Sequence, residues 1–204
     1  MKKRTKTWFF LLLGLFALPA TFFAQTGRAD SLRQLLTTAK QDTQRINWLT
    51  ELAWDINESH TEEAAARLEE AVSLARKLNF KKGEATAWNG LGVVEEIRGN
   101  LAEAEVLYKN ALDIRRKLGN LHDVGSSLNN LGVLNEMAGR FDSALIFHRE
   151  NLKIQEERRD TVKIARALFN LAGAYQEMGL YPEAQRHLLE ARLVLEARND
   201  QDGM

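Results

Sequence analysis

The stretch WNGLGVVEEIRGNLAEAEVLYKNAL, residues 88–112, decides the fold. Trp88, Leu91, Val94 and Ile97 recur every three residues and Val93 widens their stripe, which is the pattern of one face of an amphipathic helix. Gly99 then interrupts, because the left-handed position after a helix suits glycine. A second helix is expected from about Leu101 to Leu118, with Ala104, Tyr108, Ala111 and Leu112 at steps of three and four residues. The unit is a helix, a glycine turn and a second helix.

The unit repeats. Residues 128–152 and 168–192 carry the same columns 40 and 80 residues further on. Leu91-Gly92 returns as Leu131-Gly132 and Leu171-Ala172, and Gly99 returns as Gly139 and Gly179. Leu101 becomes Phe141 and Tyr181, Ala104 becomes Ala144 and Ala184, and a small column runs through Ala85, Gly125 and Ala165. Such self-similarity marks a stacked array in which each helix pair buries its apolar stripe only against its neighbours. Small residues at the crossings let backbones approach while Trp88 or Tyr108 fills the flanks. An earlier copy is weaker: Ala64, Leu68, Ala71 and Val72 precede Ala104, Tyr108, Ala111 and Leu112 by 40 residues, but Leu52-Ala53 precedes Leu91-Gly92 by only 39. The lost residue falls in the turn Asn57-Glu58-Ser59-His60, which has no glycine and also matches an N-glycosylation acceptor.

End charges agree with the helices. Glu62, Glu63, Glu103, Asp142 and Glu183 open the second helices; Arg76, Lys77, Arg115, Arg116, Lys117, Arg158 and Arg159 close them, offsetting the helix dipole. Pro182 falls in a first turn, where its missing N–H costs little. A short capping helix is expected from Asp30 to Lys40, with Asp30 or Ser31 as its N-cap.

Trp-x-x-Leu-Gly, then Gly-x-aromatic-x-x-Ala, then aromatic-x-x-Ala-Leu resembles the tetratricopeptide repeat. Trp88, Leu91, Gly92, Gly99, Ala104, Tyr108, Ala111 and Leu112 carry the resemblance best, and it spans about Ile46 to Arg198. The family's basic unit is about 34 residues; the longer unit here resembles the kinesin-light-chain-like variety. The resemblance implies an all-α solenoid of about four repeats, coiled as a right-handed superhelix whose concave face holds a peptide or partner segment. The expected layout is a leader over 1–24, a capping helix and connector over 25–45, a degenerate repeat over 46–82, repeats over 83–122, 123–162 and 163–198, and a polar tail over 199–204. By the same resemblance the first helix of each pair lines the groove. That places Thr86, Asn89, Gly90, Val93 and Glu96 there, then Ser126, Asn129, Asn130, Val133 and Glu136, then Arg166, Phe169, Asn170, Gly173 and Gln176. Asn89, Asn129, Asn130 and Asn170 either read a peptide main chain, since an amide both donates and accepts, or solvate an exposed face. Arg166 is the only base in the set, with Glu96 and Glu136 opposing it, which argues against the family's carboxylate clamp.

A second surface is expected on the last helix. Glu69 and Ser73, Lys109 and Asp113, and Arg149 and Lys153 are polar where the last copy has Leu189 and Leu193; Leu195 replaces Arg115 and Gln155. Terminal repeats ordinarily turn polar outward, so Leu189, Leu193 and Leu195 read as an interface for another helix, a second subunit in a weak homodimer, or a downstream segment.

No chemistry accompanies this framework. There is no phosphate loop and no His-Glu-x-x-His; Gly90-Leu91-Gly92 lacks the third glycine of a dinucleotide motif and lies inside a repeat helix. His60, His122, His148 and His187 fall in different copies, and His60 among Glu58, Glu62 and Glu63 reads as a polar turn ahead of a helix. Cysteine is absent, so no disulfide, zinc-thiolate site, catalytic thiol or lipid-bearing cysteine is available. No enzyme activity, cofactor or metal is expected.

The N-terminus reads as an export signal. Lys2, Lys3, Arg4 and Lys6 precede the apolar run from Trp8 to Leu18, and Pro19, Ala20 and Ala24 follow, with cleavage expected after Ala24 or Ala20. The alternative is an uncleaved inner-membrane anchor, although Trp8 to Ala24 would reach only about 25 Å of a roughly 30 Å bilayer core. The whole chain holds 28 basic and 28 acidic residues; without the four basic leader residues the balance is 24 against 28, or −4. A weakly acidic chain without a basic block is poorly suited to nucleic acid. The expected role is an exported, periplasmic or extracellular adaptor or assembly scaffold with a protein or peptide partner. The alternative is the extracytoplasmic input segment of a signal-transduction protein such as a histidine kinase.

Overall fold

The structure, a computed structural model, describes residues 20–202, with side chains over 27–198. Most of the expected leader lies outside the described residues. Nine helices and no strand occur among them: α1 (Ala20–Thr38), α2 (Thr43–Ile56), α3 (Thr61–Lys77), α4 (Lys81–Ile97), α5 (Leu101–Leu118), α6 (Leu121–Met137), α7 (Phe141–Glu157), α8 (Thr161–Glu177) and α9 (Tyr181–Asp202). None of them is long and apolar enough to cross a membrane.

Each turn has a chemical reason. After α4, α6 and α8 the chain enters the left-handed region at Gly99, Gly139 and Gly179, with φ of 79°, 68° and 74°. The next residue then turns back: Asn100 N donates to Glu95 O at 2.8 Å, Arg140 N to Asn135 O at 2.8 Å, and Leu180 N to Tyr175 O at 2.9 Å. These bonds satisfy carbonyls that a helix end leaves unpaired. After α3, α5 and α7 the same conformation recurs at Asn79, Gly119 and Arg159. Arg159 holds it at a cost of about 1 kcal/mol relative to glycine, a position that composition does not reveal.

The helices stack as a two-layer solenoid. Each helix packs on the next in sequence, and across one layer α2 touches α4 and α6 touches α8. The core is accordingly a string of clusters. One runs from α1 to Leu107 of α5, a second centres on Tyr108, Leu128 and Leu131, and two more tie α7, α8 and α9 together. Small crossing residues matter as expected: a Cβ at Gly92 would lie 2.5 Å from the Tyr108 ring, and one at Gly132 would lie 2.2 Å from His148. His148 therefore fills the tyrosine position of its copy, wholly buried.

Two expectations are corrected. The first helix does not start at Asp30. It is continuous from Ala20, because Ser31 Oγ donates to Gly27 O at 2.8 Å and Asp30 pairs with Arg33, so both would-be caps are used within the helix. Its buried Ala29, Leu32 and Leu36 precede Leu68, Ala71 and Ala75 of α3 by 39 residues, so α1 is itself an outer helix of the array. Ion pairs fasten it: Arg28 to Glu51 and Asp55 of α2, and Arg33 to Glu63 of α3. The second correction concerns Arg115, Gln155 and Leu195. Arg115 and Gln155 are buried, and Leu195 packs on the cluster of Ala165, Leu168 and Ala191. This column faces the wedge between helix pairs, so Leu195 belongs to the core and not to an outer surface. Leu189 and Leu193 are exposed at 47% and 54%.

Candidate partner-binding groove

The first helices of successive pairs are joined by their asparagines. Asn130 Nδ2 donates to Asn89 Oδ1 at 3.2 Å, linking α6 to α4; Asn170 Nδ2 donates to Asn129 Oδ1 at 2.9 Å, linking α8 to α6. Asn89 is buried and also accepts from Arg115 Nη1 at 3.1 Å. The asparagines are thus neither free readers of a peptide nor mere solvated polar groups. They form a ladder across the face, and Asn130 and Asn170 each keep an N–H and a carbonyl oxygen to offer.

The glutamates of the expected set are engaged from behind. Tyr108 Oη donates to Glu96 Oε2 at 2.7 Å, and His148 Nε2 lies 3.2 Å from Glu136 Oε1. Burial, reinforced by Glu96, pushes the Tyr108 hydroxyl far above its ordinary range, so it remains a donor. Glu96 and Glu136 therefore serve equivalent ring residues in two copies. Val93 packs on the Tyr108 cluster and Val133 is half-buried. On α8, Arg166 and Gln176 are exposed, Phe169 is 47% exposed and Gly173 leaves open space.

What the structure brings together is a cavity of about 210 Å³ lined by Gly125, Ser126, Asn129 and Asn130 of α6, Asn151 and Gln155 of α7, and Lys163 and Arg166 of α8. Four of these (Ser126, Asn129, Asn130 and Arg166) are expected groove residues; Gly125, Asn151, Gln155 and Lys163 are additions. Gln155 Nε2 donates to Asn151 Oδ1 at 2.7 Å and occupies the space where a Cβ at Gly125 would lie. The lining holds two cations and no carboxylate, although Lys163 Nζ approaches Asp160 at 4.0 Å from outside it.

The preceding wedge is built in the same register and is filled. There Arg115 Nη1 donates to Ser127 Oγ at 2.6 Å, to Asn89 Oδ1 at 3.1 Å and to the Asp123 carbonyl at 3.3 Å. Burial lowers its affinity for its proton, with the nearby Asp123 charge opposing that effect; a guanidinium nonetheless stays charged at neutral pH.

Residues 83–157 match the family model described as tetratricopeptide repeat. No curated protein is a significant match by sequence. Among solved structures, BtubC from P. vanneervenii superposes with a TM-score of 0.69 at 23% identity, covering 88% of this chain and 75% of that one. A putative kinesin light chain from Podosopora anserina, with nearly identical tetratricopeptide-like repeats, gives a TM-score of 0.69 at 20% identity over 88% and 92%. Aspartyl phosphate phosphatase F from Bacillus subtilis gives 0.76 at 10% identity over 88% and 50%. At these identities the likeness is one of fold. The matched residues 83–157 are thus tetratricopeptide repeats, and the 40-residue period and the all-α solenoid continue the same unit along the described chain, a fold suited to protein–protein interaction.

Proposed function

We propose that the chain is an exported interaction module, an adaptor or assembly scaffold, that holds an extended acidic segment of a partner along α4, α6 and α8. The observation that carries this is the cavity between α6 and α8, where Lys163 and Arg166 stand among amide and hydroxyl groups with no lining carboxylate. The asparagine ladder supplies main-chain donors and acceptors beside it, and the two cations supply a preference for negative charge. The role is binding and not catalysis, and the partner is protein and not nucleic acid. Export rests on the basic and apolar order of residues 2–24, either as a cleaved signal or as an anchor.

A library of extended peptides, displayed with glutamate or glutamine at each position, tests the groove. Glutamate peptides are expected to bind more tightly, with a preference that weakens in salt and disappears in the double variant Lys163→Gln, Arg166→Gln. Equal binding of the acidic and neutral series by the unaltered chain would refute the proposal. Export is tested separately, by fusing residues 1–30 to a reporter that is active only outside the cytoplasm; an inactive fusion removes that part of the reading and leaves the groove.

A further inference from the structure

One register position of the outer helices changes character in the last copy. Val72, Leu112 and Leu152 hold it in α3, α5 and α7, and each joins a cluster with the pair that follows. Val72 clusters with Leu91 and Val94, Leu112 with Val124 and Leu128, and Leu152 with Leu168 and Ala172. In α9 the position holds Arg192, which is exposed. The face that a further pair would cover is therefore broken by a charge. The apolar surplus of α9 lies beside it, where Leu189 and Leu193 stand in place of Lys109 and Asp113 and of Arg149 and Lys153. Pro182, Arg186, Leu189, Leu193 and Glu196 follow one another at steps of four, three, four and three, and all five are exposed. That is the seam spacing of two paired helices, narrower than the stripe of a helix seated in a core.

We infer that this seam pairs with the same seam of a second copy, the two α9 helices running antiparallel about a two-fold axis level with Ala191. The surface is separate from the groove and does not depend on the groove reading. The order of its residues favours a copy of itself. About that axis position 189 meets position 193 of the other chain, and position 186 meets position 196, each twice by symmetry. Leucine thus meets leucine in the two inner layers, and Arg186 meets Glu196 in the two outer ones. A parallel pair would set Arg186 on Arg186 and Glu196 on Glu196. Flanking charges keep the contact weak. Glu190 and Arg192 approach their own kind across the axis, although each has a partner on its own helix, His187 at 3.5 Å and Glu196 at 3.4 Å. About four turns of helix a side also fall short of the roughly 1,200 Å² from which stable interfaces start. The product is a reversible dimer that presents two grooves in opposite directions.

Sedimentation of the full chain from about 5 μM to about 1 mM reads the association, which is expected in the upper part of that range. Leu189→Glu with Leu193→Lys should abolish it while helix content stays unchanged. Arg186→Glu alone and Glu196→Arg alone should each weaken self-association about tenfold, because each puts like charges in the outer layers. Mixed in equal amounts, those two variants should associate as the unaltered chain does, since one then carries only acids and the other only bases at the two positions. A chain that stays monomeric throughout overturns the inference, and so does association that survives the leucine changes. A mixture no more associated than its components overturns the antiparallel pairing and the inference with it. The groove is judged separately, by the glutamate and glutamine peptides.

Discussion

Two wedges of one shape lie side by side in this array, and one is full while the other is open. Between α4 and α6 the space is taken by Arg115, held by Asn89, Ser127 and the Asp123 carbonyl. Forty residues on, between α6 and α8, Gln155 replaces Arg115, Gly125 replaces Ala85, Lys163 replaces Asp123 and Arg166 replaces Ser126. The shorter amide folds back over Gly125 onto Asn151 and a cavity remains. The backbone is the same in both, so the difference is one of side-chain length and sign. The first wedge supplies its own cation; the second has two cations around a vacancy. A repeat protein can thus divide its positions between stability and recognition without changing its fold. Beyond α9 a third wedge is left open among the described residues. Leu68, Tyr108 and His148 are 2%, 1% and 0% exposed in their column, whereas Leu188 is 41% exposed.

If the full wedge is structural, truncating it must cost more than truncating the open one. Arg115→Ala is expected to lose about 3 kcal/mol, since it opens a cavity and strips a buried hydroxyl and amide of their donor. Gln155→Ala, beside space already empty, should lose about half as much. Equal costs in denaturant unfolding would end the distinction.

A smaller effect sharpens it. Gly125→Ala places a Cβ about where Gln155 Nε2 now lies, at 2.2 Å, but that group is the end of a flexible side chain. The expected cost is about 1 kcal/mol, from partial overpacking offset by better helix propensity, with weaker binding of acidic peptides as Gln155 is driven into the cavity. A stability gain with unchanged binding would mean that the cavity is incidental.

The unclosed wedge gives the faintest signals. Leu189 and Leu193, exposed on α9, are proposed as a second contact surface that supports a weak homodimer or the docking of a further segment. Leu189→Glu with Leu193→Lys should leave a folded monomer, and sedimentation of both proteins across a concentration series compares them. His187, stacked on Tyr175, reports the same end through pH. Burial first, then Arg186, hold its imidazole below the ordinary value, outweighing Glu190. The fold therefore favours the neutral ring. Its contribution is complete above the unfolded value of about 6.5 and is lost as pH falls from there toward the folded value. A slight drop in melting temperature over that window, absent in His187→Gln, is the expected result.

Much of this was legible in the sequence. Three- and four-residue spacing gives α5 its observed bounds, Leu101–Leu118, and the glycine column marks the turns at Gly99, Gly139 and Gly179, whereas α9 runs on to Asp202 through the expected polar tail. What escaped is the direction of polar residues. Arg115 and Gln155 read as outer positions because they are polar, yet the structure buries both behind compensating hydrogen bonds that no spacing encodes. Asp30 and Ser31 read as a helix start for a related reason: cap residues inside a helix satisfy themselves locally, and sequence shows their type but not their partner. At the groove, Ser126, Asn129, Asn130 and Arg166 were visible by register. Lys163 and Gln155 were not, since they enter from the helix start and from the outer layer.

The exact 40-residue step carries one more consequence, for rearrangement of the gene. Cutting out residues 123–162 would preserve the phase of every helix and leave a shorter array of ordinary geometry. It would also bring α8 against α5, seating Arg115 where Lys163, Arg166 and Ala167 stand in place of Asp123, Ser126 and Ser127. Three positive groups would then share a wedge that accepts one. The units are interchangeable as shapes but not as letters, so their order is a message that duplication or deletion would scramble.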